Sequence, residues 1–85
     1  MSETSELTIL EGELKQRIKD GEKFKLILEY DPTINQYALH AKGARKKFEI
    51  HTFRGGIRMM RDPHRAMTWA ESTGMTGVEL DHSFA

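Results

Sequence analysis

Residues 37–51 read YALHAKGARKKFEIH, and their alternation decides the architecture expected of the chain. Tyr37, Leu39 and Ala41 fall on one side of an extended strand, and Ala38, His40 and Lys42 on the other. After the glycine, Phe48 and Ile50 resume the apolar side, while Lys47, Glu49 and His51 share the polar one. A period of two over such a run is the pattern of half-buried strands. Gly43-Ala44 at the centre of a two-residue turn suits type II′ geometry. The resulting hairpin pairs Leu39 with Phe48, Tyr37 with Ile50 and Ala41 with Lys46, and on the other side His40 with Lys47, Ala38 with Glu49 and Gln36 with His51. Sliding one strand by a single residue would mix the two sets, so burial specifies the register.

Working outward, residues 24–30 (FKLILEY) alternate in the same way. Phe24, Leu26, Leu28 and Tyr30 face the core, Lys25, Ile27 and Glu29 face away, and Asp31-Pro32 breaks the strand into a loop running to about Gln36. Further upstream, Leu7, Leu10, Leu14 and Ile18 recur at helical spacing. The predicted helix opens at Ser5, or a turn later through a Thr8/Glu11 capping box, and stops at Asp20-Gly21. Its acids lead and its Lys and Arg residues follow, which suits the helix dipole.

Downstream, Arg54-Gly55-Gly56 reads as a second tight turn. That geometry sets Met59 beside Thr52 on the core side and leaves His51, Phe53, Arg58 and Met60 opposite; a three-residue loop would reverse the last strand. Asp62-Pro63 opens a second helix with an apolar face of Ala66, Met67, Trp69 and Ala70, and Gly74 stops it. Val78 and Leu80 mark a short final strand. The predicted fold is α+β: a small antiparallel β-meander with an N-terminal and a C-terminal helix on one face, in the order α-β-β-β-β-α-β. The single domain spans residues 5–81, between a flexible stretch at 1–4 and a tail at 82–85. Its helix-strand-strand-strand-helix order resembles that of double-stranded-RNA-binding domains. The run after Arg61, Asp-Pro-His-Arg, departs from the lysine-rich helix start with which that family clamps phosphates, so the resemblance is one of topology alone.

Eighty-five residues suffice for one small domain with a thin core. Without cysteine, neither a disulfide nor a thiolate metal site supplements it. No apolar run reaches the ~18–20 residues of a membrane span, and the N-terminus lacks a signal-peptide layout, so a cytoplasmic domain is expected. The formal charge is zero, yet residues 42–65 hold eight of the thirteen Lys and Arg residues and only two acids, Glu49 and Asp62. That window carries +6 against −6 elsewhere, and a segregated basic stretch is a footprint for an anionic partner, most commonly nucleic acid.

The predicted open sheet face displays Lys25, His40, Lys47, His51, Phe53 and Arg58, with Lys42, Arg45 and Arg54 at the turns and Lys46 beside them. Cations around an exposed aromatic ring suit a nucleic-acid strand, the cations following phosphates and the ring stacking on a base. Glu29 and Glu49 lie on the same face and weaken the patch, and a solvated face is the ordinary fate of such a sheet. The alternative is a protein-interaction or homodimer contact through Ile27, Phe53 and Met60. The four histidines are scattered and no metal is expected. No catalytic set, phosphate-cradling loop or cofactor motif is present, so neither an enzyme nor a cofactor is expected.

Overall fold

The computed structural model describes residues 7–81, so Ser5 and the expected N-terminal stretch and tail lie outside them. In chain order the elements are β1 (Leu7–Leu10), α1 (Glu11–Lys19), β2 (Lys25–Asp31), β3 (Gln36–Lys42), β4 (Lys47–His51), β5 (Met59–Met60), α2 (Pro63–Thr73) and β6 (Val78–Asp81). Five strands lie in the order β1-β4-β3-β2-β6, and β5 also pairs with β3. Two helices beside a six-stranded sheet make this a small α+β fold. The sheet is mixed, because β1 runs parallel to β4 and β6 parallel to β2.

The strand β1 replaces the first two turns of the expected helix. Ile9, off the helical stripe, is buried against Ile50, whereas Leu7 and Leu10, on the stripe, stay 39% and 50% exposed. Pairing with β4 satisfies the backbone and buries a β-branched residue, which outweighs the helical spacing. Thr8 therefore sits in a strand and forms no capping box. α1 starts at Glu11, and Leu10 at its N-cap gives no side-chain hydrogen bond. The expected charge order along the helix holds, with Glu11 and Glu13 in the first turn and Arg17 and Lys19 in the last.

β2 and β3 form a seven-rung hairpin from Lys25↔Lys42 to Asp31↔Gln36, and the expected faces hold. The next hairpin keeps its faces but slides by two residues: Ala41 meets Phe48, and Lys42 meets Lys47. The turn is therefore four residues long, closed by the Gly43 N–H donating to the Lys46 carbonyl at 2.8 Å. The reason lies in the expected pairing itself, which set Lys46 against Ala41 on the core side. The longer turn releases that ammonium to water and avoids its desolvation.

Gly55-Gly56 does not form the two-residue turn; the alternative three-residue loop, residues 53–55, closes the hairpin instead. The chain leaves its lane beside β3 after Glu49, which faces His40, and re-enters at Met59, which faces Ala38. Two rungs on β3 thus span ten residues on the other side, so eight residues loop out. The loop is held by the Thr52 N–H to the Gly56 carbonyl (2.8 Å), the Gly55 N–H to the Thr52 carbonyl (2.9 Å) and a His51↔Ile57 bridge, with Gly55 at φ 100°. At the seam, the Arg58 N–H donates to the Ile50 carbonyl and the Leu39 N–H to the Arg58 carbonyl. The faces of β5 are those of the three-residue alternative, not of the two-residue turn: Met60, beside Tyr37, packs on the core, and Met59 lies opposite.

α2 begins as expected. The Asp62 carboxylate accepts from the His64 N–H at 2.9 Å, Pro63 follows, and Gly74 closes the helix at φ 97°. Both helices contribute to one core of Ile9, Leu14, Phe24, Leu26, Leu28, Leu39, Ala41, Ile50, Ala66 and Ala70, so they cover the same sheet face. No helix among the described residues is long and apolar enough to cross a membrane.

Candidate nucleic-acid interface

The expected basic surface divides into three parts, because strand register carries its members to different places. Lys42, Arg45 and Lys46 stand exposed around the β3–β4 turn. Among the described residues none of them makes a salt bridge within 4 Å. Lys23 joins them, since the start of β2 lies beside the end of β3, and it too has no salt bridge to a described residue. Lys23, Lys25, Lys42, Gly43 and Ala44 line a groove of about 350 Å³ together with Glu22, Phe24 and Thr76. Glu22 is already committed to Arg17, whose two donors reach it at 2.7 and 2.8 Å. That fork holds the Glu22 carboxyl below its ordinary range. Lys23 was legible in the sequence only through register: it precedes Phe24, and the β2–β3 pairing brings that segment to the turn.

The open sheet face is neutralised. Lys47 pairs with Glu29, Lys25 with Glu79 at 3.0 Å, and His51 with Glu49 at 3.0 Å. The Lys25 hydrogen bond, with Lys42 nearby, holds the Glu79 carboxyl below its ordinary range. A bare cationic face is therefore not what this sheet presents. Lys47 and His51, expected there as phosphate contacts, already face carboxylates.

The remaining residues leave the face altogether. Phe53 and Arg54 are exposed on the loop between β4 and β5, where Phe53 is 98% exposed. Arg58 points to the helix side, because its rung is that of the core residue Leu39. Its guanidinium lies 5.6 Å from the centre of the Trp69 ring and 3.6 Å from Glu11. Glu11 also accepts from the Trp69 indole at 3.3 Å and pairs with Lys15 at 3.5 Å. Arg58 thus ties the loop to both helices rather than meeting a ligand on the sheet. Of the residues expected to form an interface, Ile27 is only 6% exposed between its neighbours His40 and Glu79, and Met60 turns to the core. Phe53 alone stays available, and Leu10 joins it.

No family model, curated protein or solved structure matches this chain. Its site must therefore be read from its own geometry. Among the described residues no group of three or more His, Asp or Glu side chains converges as a metal site.

Among the described residues, His40 is the one buried polar side chain on the open face, at 5% exposure. Burial pushes its pKa below the ordinary 6.5, and the Glu29 and Glu49 carboxylates only partly oppose that. With Glu29 at 3.9 Å and Nδ1 buried without a hydrogen bond, the ring is a neutral imidazole rather than half of an ion pair. The unfolded chain therefore takes up this proton before the folded one as pH falls. Stability is expected to decline as pH drops below about 6.5, by at most about 1.4 kcal/mol per pH unit from this group. Urea titrations across pH 5–7 check this: His40→Gln should flatten that part of the slope, and an unchanged slope would reject it.

Proposed function

We propose that this chain is a small nucleic-acid-binding domain whose contact surface is the β3–β4 turn and the groove beside it. One observation carries the reading: Lys23, Lys42, Arg45 and Lys46 gather at one end of the sheet without salt bridges to described residues, while the cations on the sheet face are paired. Unpaired cations on a turn can each displace a counterion from a phosphate backbone. The paired ones would first have to give up a carboxylate. The Gly43 backbone rests on Phe24, within 3.3 Å of its ring from the position a Cβ would occupy, so the turn is held by the core.

Binding isotherms on single- and double-stranded DNA and RNA test the proposal. Four phosphate contacts predict a log–log salt slope of about −3 to −4, or roughly a hundredfold loss of affinity between 50 and 200 mM salt. Lys42→Glu or Lys46→Glu should reduce the slope by about one each, while Arg58→Gln leaves it unchanged. Binding that ignores salt, or slopes indifferent to Lys42 and Lys46, would reject the reading.

A further inference from the structure

The phenyl ring of Phe53 projects into solvent beside a groove of about 320 Å³ lined by Leu10, Glu11, Gly12, Glu13, Lys15 and Phe53 itself. We infer that this groove receives Phe53 and Arg54 of a second copy of the chain, in a twofold-symmetric contact. Three observations select that occupant.

The knob and the groove adjoin on the same molecule, so a single twofold axis can seat each ring in the other copy's groove. This is the self-complementary arrangement of an isologous dimer. The floor is open, since nothing lies within 4 Å of where a Gly12 Cβ would stand, and the rim offers Leu10 at 50% exposure. The charges also match. Glu11 is engaged by Arg58 and Lys15, whereas Glu13 on the rim and Arg54 on the knob have no salt bridge to a described residue. Two Arg54–Glu13 pairs across the axis would satisfy both copies. The same carboxylates argue against phosphate here, so this surface is separate from the cationic turn.

Two phenyl rings and the flanking leucines bury on the order of 1,000 Å² in total, at the low end for specific contacts, so the dimer is expected to be weak. Sedimentation equilibrium of the full chain over a wide concentration range tests this. The expected result is a reversible monomer–dimer equilibrium whose dissociation constant rises about tenfold or more in Phe53→Ala. The ring is solvent-exposed, so circular dichroism should show that this variant stays folded. Arg54→Glu and Glu13→Arg should each weaken the dimer, and the two together should restore it. A monomer at every concentration, or a dimer indifferent to Phe53, would overturn the inference. So would dimerisation that appears only once residues 1–6 are removed, because the groove would then hold the chain's own N-terminal segment. Lys42→Glu should leave the equilibrium unchanged, which separates failure here from failure of the nucleic-acid reading.

Discussion

Phe24→Ala should cost about 3–5 kcal/mol, the usual penalty for emptying a packed aromatic site. A domain of this size has only roughly 4–13 kcal/mol to lose, so the variant will sit near the edge of folding. The ring is 1% exposed and meets Phe48 edge to face at 6.1 Å. Arg17 lies across both rings, 5.4 Å from one centroid and 5.3 Å from the other, and is itself gripped by Glu22. The pair therefore joins the start of β2, the β3–β4 hairpin and the end of α1. Removing one ring empties the space, loses the aromatic contact and leaves the guanidinium without its platform. Urea denaturation followed through the single tryptophan, Trp69, reads the loss. Phe24→Leu should cost much less, about 1–1.5 kcal/mol, because most of the volume stays. A loss below about 1 kcal/mol in Phe24→Ala would mean that the site collapses readily and that Phe24 is no keystone.

Gly74→Ala is the second large effect, expected at about 2–4 kcal/mol from two separable sources. The residue sits at φ 97°, where any side chain is strained, and a Cβ there would lie 3.0 Å from Cγ2 of Ile18. The C-terminal ends of α1 and α2 meet at this point, so neither helix can yield without disturbing the core. Gly21→Ala supplies the comparison. It has φ 106° but nothing within 4 Å, so it should show the conformational cost alone, about 1–2 kcal/mol. Replacing Ile18 by Leu removes the branch methyl that would clash and should bring Gly74→Ala down towards the Gly21→Ala value. Equal losses at the two glycines would show that the helix ends are not in tight contact.

The central hairpins were legible because alternation is a local signal. Leu26, Leu28, Leu39 and Ile50 declare a buried face within a few residues of one another, and even the two-residue slip at the β3–β4 turn kept that face. The second helix was equally plain, since Asp62-Pro63 and Gly74 act through their own backbone chemistry. The strand β1 was hidden because Leu7 and Leu10 continue the spacing of Leu14 and Ile18 across an element boundary. Period alone cannot separate a short strand from the first turns of a helix. Gly55-Gly56 misled for a related reason: the dipeptide marks a change of direction without fixing how many residues the change takes.

The basic stretch shows where one-dimensional charge reading ends. Lys47 is neutralised by Glu29, eighteen positions away, and Lys25 by Glu79, fifty-four positions away. Neither acid belongs to the cationic window, so a sum over neighbours overstated the field of the sheet face. Lys23 was undervalued by the same rule, since it stands outside the window yet arrives beside the turn when β2 pairs with β3. The nucleic-acid reading rests on Lys23, Lys42, Arg45 and Lys46, which folding gathers at one end of the sheet without a salt bridge to a described residue.

The eight residues between Ile50 and Met59 have a topological consequence. Eight is even, and the strand resumes with its pleat in phase, so joining Ile50 directly to Met59 would carry the same lane onward with every face preserved. Insertions or deletions at the tip leave Met60 in the core, because the Arg58–Ile50 and Leu39–Arg58 hydrogen bonds at the seam hold the register and the length of the tip does not. The segment bearing Phe53 and Arg54 is a cassette, free to lengthen, shorten or be exchanged on a scaffold that does not depend on it for register.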